Sequence, residues 1–378
     1  MRMTAPPIPS PAILYIHDLR GSGVVTNAIA LARRLGKERE TILCAGYDKG
    51  LNRAIDVAPA RLVILCGEHE PPRARTAAAH RLRRLIRSSG AGVVMSMGNY
   101  GHRTVFRATW LSRVSAVYRI SNEVGRAKAG WRKNMRRRRW HRILLWFGSR
   151  VILVGRALAE QPLFAAAIRR GKAVYIPNGV DVDRARSLAG GRSPHPWFDD
   201  AGPPVVLTIG RIHRQKNLDG LIEAVAIAMR RTPMRLMIVG AGDPEEITAL
   251  KARAARLGIA DAILFAGETD NVFAYLARAP VFTLASHWEG SSTALLEALS
   301  VGIAVVATRQ AGDARFVLDD GRYGALADAD DPGSIAAAIV AQLGPGQILP
   351  GNRVEAFRQG AMHARYLELL AKIEASRS

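Results

Sequence analysis

The chain has 378 residues, 54 Lys and Arg against 32 Asp and Glu, a formal net charge of +22, and two cysteines. That length exceeds one doubly wound domain and suits two, while two cysteines exclude a disulfide framework and point to a reducing cytosol. No apolar run reaches the ~18 residues a spanning helix needs, so the short apolar stretch ending before Asp18 reads as a first strand rather than a signal peptide.

Apolar runs in the N-terminal half predict strands at 12–17, 41–45, 62–66, 92–97, 115–120, 151–154 and 173–176, with helical periodicity between most of them, as at 24–35 and 76–87. Strand–helix alternation of this kind argues for a parallel sheet covered on both faces. A polar, Pro-containing stretch at 187–203 reads as a linker. Alternation then resumes, with strands expected at 205–209, 236–239, 263–265, 281–284 and 303–307 and helices at 218–230, 244–257, 293–300 and 332–343. A last amphipathic stretch, 354–373, has no strand after it. The reading is α/β throughout: an N-terminal domain over 1–186, joined by the helix in 354–378, and a C-terminal domain over 204–353. In such sheets ligands bind at the carboxyl ends of the strands.

Four segments sit at such ends. Gly210-Arg211-Ile212-His213-Arg214-Gln215-Lys216-Asn217 follows a strand and precedes a helix. Gly210 permits a sharp turn, and Arg211 and Lys216 together suit a diphosphate, one as a fork and one as a movable point charge. A solvated basic loop is the competing reading. In Glu289-Gly290-Ser291-Ser292-Thr293-Ala294-Leu295-Leu296-Glu297, the second carboxylate lies inside an apolar helix, where a surface role is not its obvious use. Carboxylates accept hydrogen bonds from the vicinal hydroxyls of sugars and ribose. Ser291 and Ser292 are N-cap candidates, and the amides of that helix start suit a phosphate. Ile176-Pro177-Asn178-Gly179-Val180-Asp181 is by itself only a turn signal. Asp18-Leu19-Arg20-Gly21-Ser22-Gly23 permits close backbone approach but lacks the third glycine of a dinucleotide fingerprint.

Together these segments resemble the family 4 retaining glycosyltransferases, most densely from Ile176 to Tyr323, in IPNGVD at 176–181, GRIHRQKN at 210–217 and EGSSTALLEALSVGIAVVAT at 289–308. The resemblance implies the GT-B fold: two Rossmann-like domains facing across a cleft, with the C-terminal helix crossing back to the N-domain. It implies hexosyl transfer with retention from a nucleotide-sugar, expected to be a UDP-sugar, with no metal and no other cofactor. Arg211 and Lys216 would hold the donor diphosphate, Glu289 the hydroxyls of the transferred sugar and Glu297 those of the ribose. Backbone amides at Gly290, Ser291, Ser292 and Thr293 and near Gly23 would add phosphate contacts, and the loop at Glu268 would lie by the base. Many members carry a histidine just after the strand at 115–120. Here Tyr118-Arg119-Ile120-Ser121-Asn122-Glu123 stands instead, as in some polysaccharide-assembly relatives. The acceptor-side candidates are therefore His102, the nearest imidazole, with Arg119 and Asn122. A nucleotide-sugar epimerase of the same fold and a non-catalytic membrane adaptor are the alternatives.

The charge is unevenly placed: residues 1–200 carry 36 Lys and Arg against 13 Asp and Glu, and residues 201–378 carry 18 against 19. Nine of the seventeen residues from Arg126 to Arg142 are basic and none is acidic. Trp131 and Trp140 interrupt the run around Arg136, Arg137, Arg138 and Arg139. A basic helix with Trp at its boundary suits an anionic membrane surface, with a solvated face as the alternative and Ile143–Phe147 expected in the core. Nucleic acid is not expected as a partner. The chain is expected in the cytoplasm, peripheral on the inner face of the plasma membrane, where a saccharide or lipid-linked acceptor would be met.

Overall fold

The computed structural model describes residues 9–20, 22–50, 56–67, 74–121 and 130–376. Within them the chain forms two compact units, one of residues 1–177 with 363–378 and the other of residues 178–362. No described helix is long and apolar enough to cross a membrane.

The first unit is built on strands β1 (Ala12–Ile16), β2 (Thr41–Tyr47), β3 (Arg61–Cys66), β4 (Val93–Ser96), β5 (Ser115–Ile120), β6 (Arg150–Leu153) and β7 (Ala173–Tyr175). They lie in the order β3-β2-β1-β4-β5-β6-β7, every neighbouring pair parallel. Chain order reverses between β1 and β4, which makes that junction the topological switch point. β1 is buried from end to end, as a strand covered by helices on both faces must be. One face of the sheet carries a core that includes Ile13, Val94, Tyr118 and Phe164.

The second unit repeats the plan with β8 (Val205–Ile209), β9 (Arg235–Val239), β10 (Ile263–Gly267), β11 (Val281–Leu284), β12 (Ala304–Thr308) and β13 (Ala325–Ala327), in the order β10-β9-β8-β11-β12-β13. Its pairs are also parallel, with the switch point between β8 and β11. Apolar cores cover both faces, around Leu207, Phe282 and Val305 on one side and Val206, Leu236 and Val306 on the other.

The division falls between Pro177 and Asn178, so the stretch 187–203 is not a linker but part of the second unit. Its polar composition conceals how its backbone is bound. Arg235 donates to the carbonyls of Trp197 and Pro203 and forms an ion pair with Asp200, while Asn271 donates to the carbonyl of Leu188. The closing helix Gln359–Ala375 begins in the second unit and belongs to the first from His363 onward.

Candidate active site

In the second unit, the loop after β8 carries the two expected cations. Gly210 sits at φ +145°, and a Cβ there would lie 2.8 Å from Lys216 Cε, so the lysine chain crosses over a residue that must lack a side chain. Lys216 Nζ meets Glu289 Oε1 at 2.7 Å, with both side chains largely buried. Glu289 is held from two further sides: Gln215 Nε2 donates to its Oε2 at 3.2 Å, and Ser286 Oγ donates to its Oε1 at 3.0 Å. Gln215 also donates to the Trp288 carbonyl at 2.8 Å, and the Ser286 carbonyl accepts from Thr308 Oγ1 at 2.6 Å. The carboxylate is thus fixed before any ligand arrives, which is what a positioned catalytic group requires. Arg211 is exposed and has no side-chain partner among the described residues. An unpaired guanidinium in the same loop as a paired ammonium keeps its donor fork available to an anion.

Glu297 lies in the helix Thr293–Val301. It is half-buried among Leu295, Leu296 and Ala298, and burial pushes its carboxyl up to about 7, with the nearby Lys216 ammonium pulling the other way. Ser292, one of the two expected N-cap residues, holds that position, but its side chain makes no capping hydrogen bond. The amides of Thr293 and its successors therefore keep their donor capacity for a ligand. Ser291 and Gly290 complete the loop, and Asn178 Nδ2 donates to the Ser291 carbonyl at 2.9 Å. Neither Asn178 nor Gln215 was given a site role from the sequence, although each lies within a motif of the resemblance.

Glu268 follows β10 on the exposed rim. Gly23 opens the helix Gly23–Gly36 of the first unit, capped by Ser22 Oγ, which accepts from the Val25 amide at 3.3 Å.

The acceptor-side candidates fare differently. His102 is wholly buried at the start of the helix His102–Thr109, its Nδ1 2.8 Å from Ser96 Oγ and its ring edge-on to Tyr118. Burial drives its pKa down to about 3, so it is neutral and sealed from an acceptor. Arg119 is also wholly buried: its Nε donates to Tyr366 Oη at 3.1 Å and its Nη1 to the Met97 carbonyl at 3.0 Å, which anchors the closing helix to the first sheet. Both are structural. Asn122 lies outside the described residues, as do 126–129 of the basic segment.

The remainder of that segment forms the helix Trp131–Phe147. Arg136, Arg138 and Arg139 are exposed and Arg137 is half-buried. Trp140 turns inward, its ring 5.5 Å from Phe106 with the Arg103 guanidinium over its face. In the expected core stretch only Leu144 is fully buried, whereas Trp146 is 80% exposed. At helical spacing Trp131, Met135, Arg138, Arg139, Arg142 and Trp146 share the outward face.

Two family models match the chain: "Glycosyltransferase Family 4" over residues 21–184 and "Glycosyl transferases group 1" over residues 203–344. Among curated proteins, a D-inositol 3-phosphate glycosyltransferase of Acidothermus cellulolyticus is 35% identical over 42% of this chain and 37% of its own length. The N-acetylgalactosamine-N,N'-diacetylbacillosaminyl-diphospho-undecaprenol 4-alpha-N-acetylgalactosaminyltransferase of Campylobacter jejuni is 31% identical over 36% of this chain and 37% of its own. The chain spans less than half the length of these relatives. Among solved structures, Anabaena HepE in complex with UDP and glucose superposes with a TM-score of 0.80 at 17% identity, covering 96% of this chain and 100% of that one. The glycosyltransferase WaaG gives 0.70 at 14% identity, covering 95% and 99%.

Proposed function

The chain belongs to the family 4 glycosyltransferases of the GT-B fold, and on that premise we propose that it is a retaining, metal-independent hexosyltransferase using a UDP-sugar. The observation that carries the reading is the Lys216–Glu289 pair, braced by Gln215 and Ser286, with the half-buried Glu297 in the helix that follows. Arg211 and Lys216 neutralise the diphosphate as it leaves, a task a metal would otherwise perform. Glu289, released by Lys216, accepts from the hydroxyls of the transferred sugar. Glu297 accepts from the ribose hydroxyls, and the uncapped amides at Ser292 and Thr293 receive a phosphate oxygen. A donor phosphate oxygen takes the proton of the incoming acceptor hydroxyl. UDP occurs in the HepE complex, and the Campylobacter relative is named for a diphospho-undecaprenol substrate. Both support a UDP-sugar donor and a saccharide or lipid-linked acceptor here. The direct test is release of free nucleotide from UDP-, GDP- and ADP-sugars with and without acceptor. UDP-sugars should be the substrates, and EDTA should leave turnover intact. A strict need for a divalent cation would count against this mechanism.

The outward face of the helix Trp131–Phe147 supports a second part of the proposal, docking on the anionic inner face of the plasma membrane. Trp131 is 69% and Met135 58% exposed among the arginines, apolar side chains and charge arranged as at a lipid interface. Each cation near an anionic surface contributes about 1 kcal/mol, and the attraction decays within a Debye length. Neutralising Arg136–Arg139 should release the protein from anionic vesicles, measured by sedimentation at two salt concentrations. Equal binding by wild type and variant would reduce the arginines to a solvated face.

A further inference from the structure

The helices Ala74–Ser89, His102–Thr109 and Trp131–Phe147 lie on one face of the first sheet and send Leu82, Val105 and Leu144 into a single core. The sequence that builds this layer is charged in one sense: from Pro71 to Ala159 there are 21 Lys and Arg and one acidic residue, Glu123. Rings emerge at one end of it. Trp110 caps the second helix and Phe147 ends the third, their centroids 4.8 Å apart, with Phe106 behind them at 4.9 and 5.8 Å. Trp110 is 41% and Phe147 52% exposed. Exposed apolar patches of this kind mark binding surfaces.

Leu111, next to Trp110, is 93% exposed and sits at φ +57°. Glycine adopts that backbone freely and leucine does not, so a large apolar side chain stands where stability alone would place none. The turn is firmly built. Arg83 donates to the carbonyls of Arg107 and Ala108, and Ser112 Oγ donates to the Thr109 carbonyl at 2.8 Å. Arg107 and Arg113, on either side of the turn, are exposed and have no side-chain partner among the described residues.

We propose that Trp110, Leu111 and Phe147, with the Arg107 and Arg113 guanidiniums, form a binding site for an acidic glycan, a chain of uronate-type sugars. Aromatic and aliphatic side chains pack against the C–H faces of pyranose rings, and guanidiniums fork onto the carboxylates between them. A bilayer fits less well. Trp110 and Leu111 lead into β5 and Phe147 leads into β6, which places the rings at the amino-terminal edge of the sheet. Substrates of such sheets meet the opposite edge, about 20 Å away along a six-residue strand. A surface beneath the rings would face the wrong edge, whereas a flexible glycan chain spans that distance. The inference rests on the glycosyltransferase reading for its choice of a glycan among polyanions.

Calorimetric titration of the full chain with a galacturonate hexasaccharide tests it, with maltohexaose as the neutral control and UDP alongside. The acidic hexasaccharide should bind wild type, and maltohexaose at least about tenfold more weakly. Trp110→Ala should raise the dissociation constant of the acidic chain roughly tenfold, and Trp110→Phe, which keeps a ring, less than about threefold. Changing Arg107 and Arg113 together to glutamine should also raise it about tenfold and reduce its salt dependence. Thermal melts report that each variant is folded, and the UDP dissociation constant should be unmoved in all of them. No binding of the acidic hexasaccharide to wild type, equal affinity for maltohexaose, or equal binding in Trp110→Ala would overturn the site. So would loss of anionic-vesicle binding in Trp110→Ala with hexasaccharide binding kept, since the rings would then be a lipid contact. Failure of wild type to bind UDP or any nucleotide-sugar would instead undo the donor reading and leave the glycan site standing.

Discussion

Replacing Lys216 with alanine should lower turnover on the UDP-sugar by about 10²–10³-fold, the usual cost of removing one preorganised charge contact from a transition state. The lysine acts on both halves of the proposed chemistry: its ammonium holds Glu289 at 2.7 Å in the free protein, and its charge also acts on Glu297. Arg211→Ala should cost a similar factor by a different route. Arg211 is exposed and unpaired among the described residues, so its loss removes a diphosphate contact and nothing structural, and thermal stability should stay within about 0.5 kcal/mol of wild type. Lys216→Ala leaves Glu289 with its Gln215 and Ser286 hydrogen bonds but no counter-charge, and should cost on the order of 1–2 kcal/mol of stability. Steady-state kinetics with thermal melts separates the two. Near wild-type turnover in either variant would remove the diphosphate assignment.

Binding of UDP should strengthen as pH rises through about 7, because the Glu297 carboxyl loses its proton there in the free protein. Ionised, it accepts from both ribose hydroxyls; protonated, it gives up part of that capacity. Glu297→Gln should weaken UDP binding about 10- to 100-fold at pH 8, the range for hydrogen bonds to a charged group, and flatten the pH profile. Folding is linked to the same proton. A carboxyl raised from 4.5 to about 7 in the folded state adds stability that is full below pH 4.5 and lost as pH climbs through 7. Relative to Glu297→Gln, wild type should therefore lose about 2–3 kcal/mol between pH 4.5 and 8, a figure already reduced for the part of the side chain open to solvent. Glu289→Gln should spare UDP binding and depress transfer, and identical behaviour of the two variants would undo their division of labour.

Both sheets were legible in the sequence because fully buried parallel strands read as unbroken apolar runs, as 12–16 and 205–209 do. β13 escaped because Ala-Leu-Ala is three residues of weak strand preference, placed by pairing with β12. The proposed donor-side residues could be grouped from the sequence because they are local: Arg211 and Lys216 share one loop, and Glu289 and Glu297 flank one helix start. The acceptor side could not, because its burial is set by distant partners. Nothing near Arg119 announces that Tyr366, 247 residues later, will accept its Nε hydrogen bond. Nor does the spacing around His102 reveal that Ser96 will occupy its Nδ1. Trp140 failed for a related reason, since a tryptophan at a helix boundary packs on whichever ring the neighbouring helix offers, and Phe106 offers one.

The floor under Arg211 is shaped by missing atoms. A Cβ on Gly240 would lie 2.2 Å from the Gly210 carbonyl oxygen, and the Gly240 backbone at φ +143° admits no ordinary side chain. The loops after β8 and β9 are sewn together there, Gly210 to Val239 and Ile212 to Ala241, at 2.9 and 2.7 Å. Any atom added at 240 must lift the strand end on which Arg211 stands. A mutational map scored by activity would therefore mark Gly240 as essential although it has no side chain to offer, while exposed Arg214, in the middle of the conspicuous basic motif, would tolerate change. In this loop the sensitivity of a position reports how closely two backbones pass as much as what its side chain does.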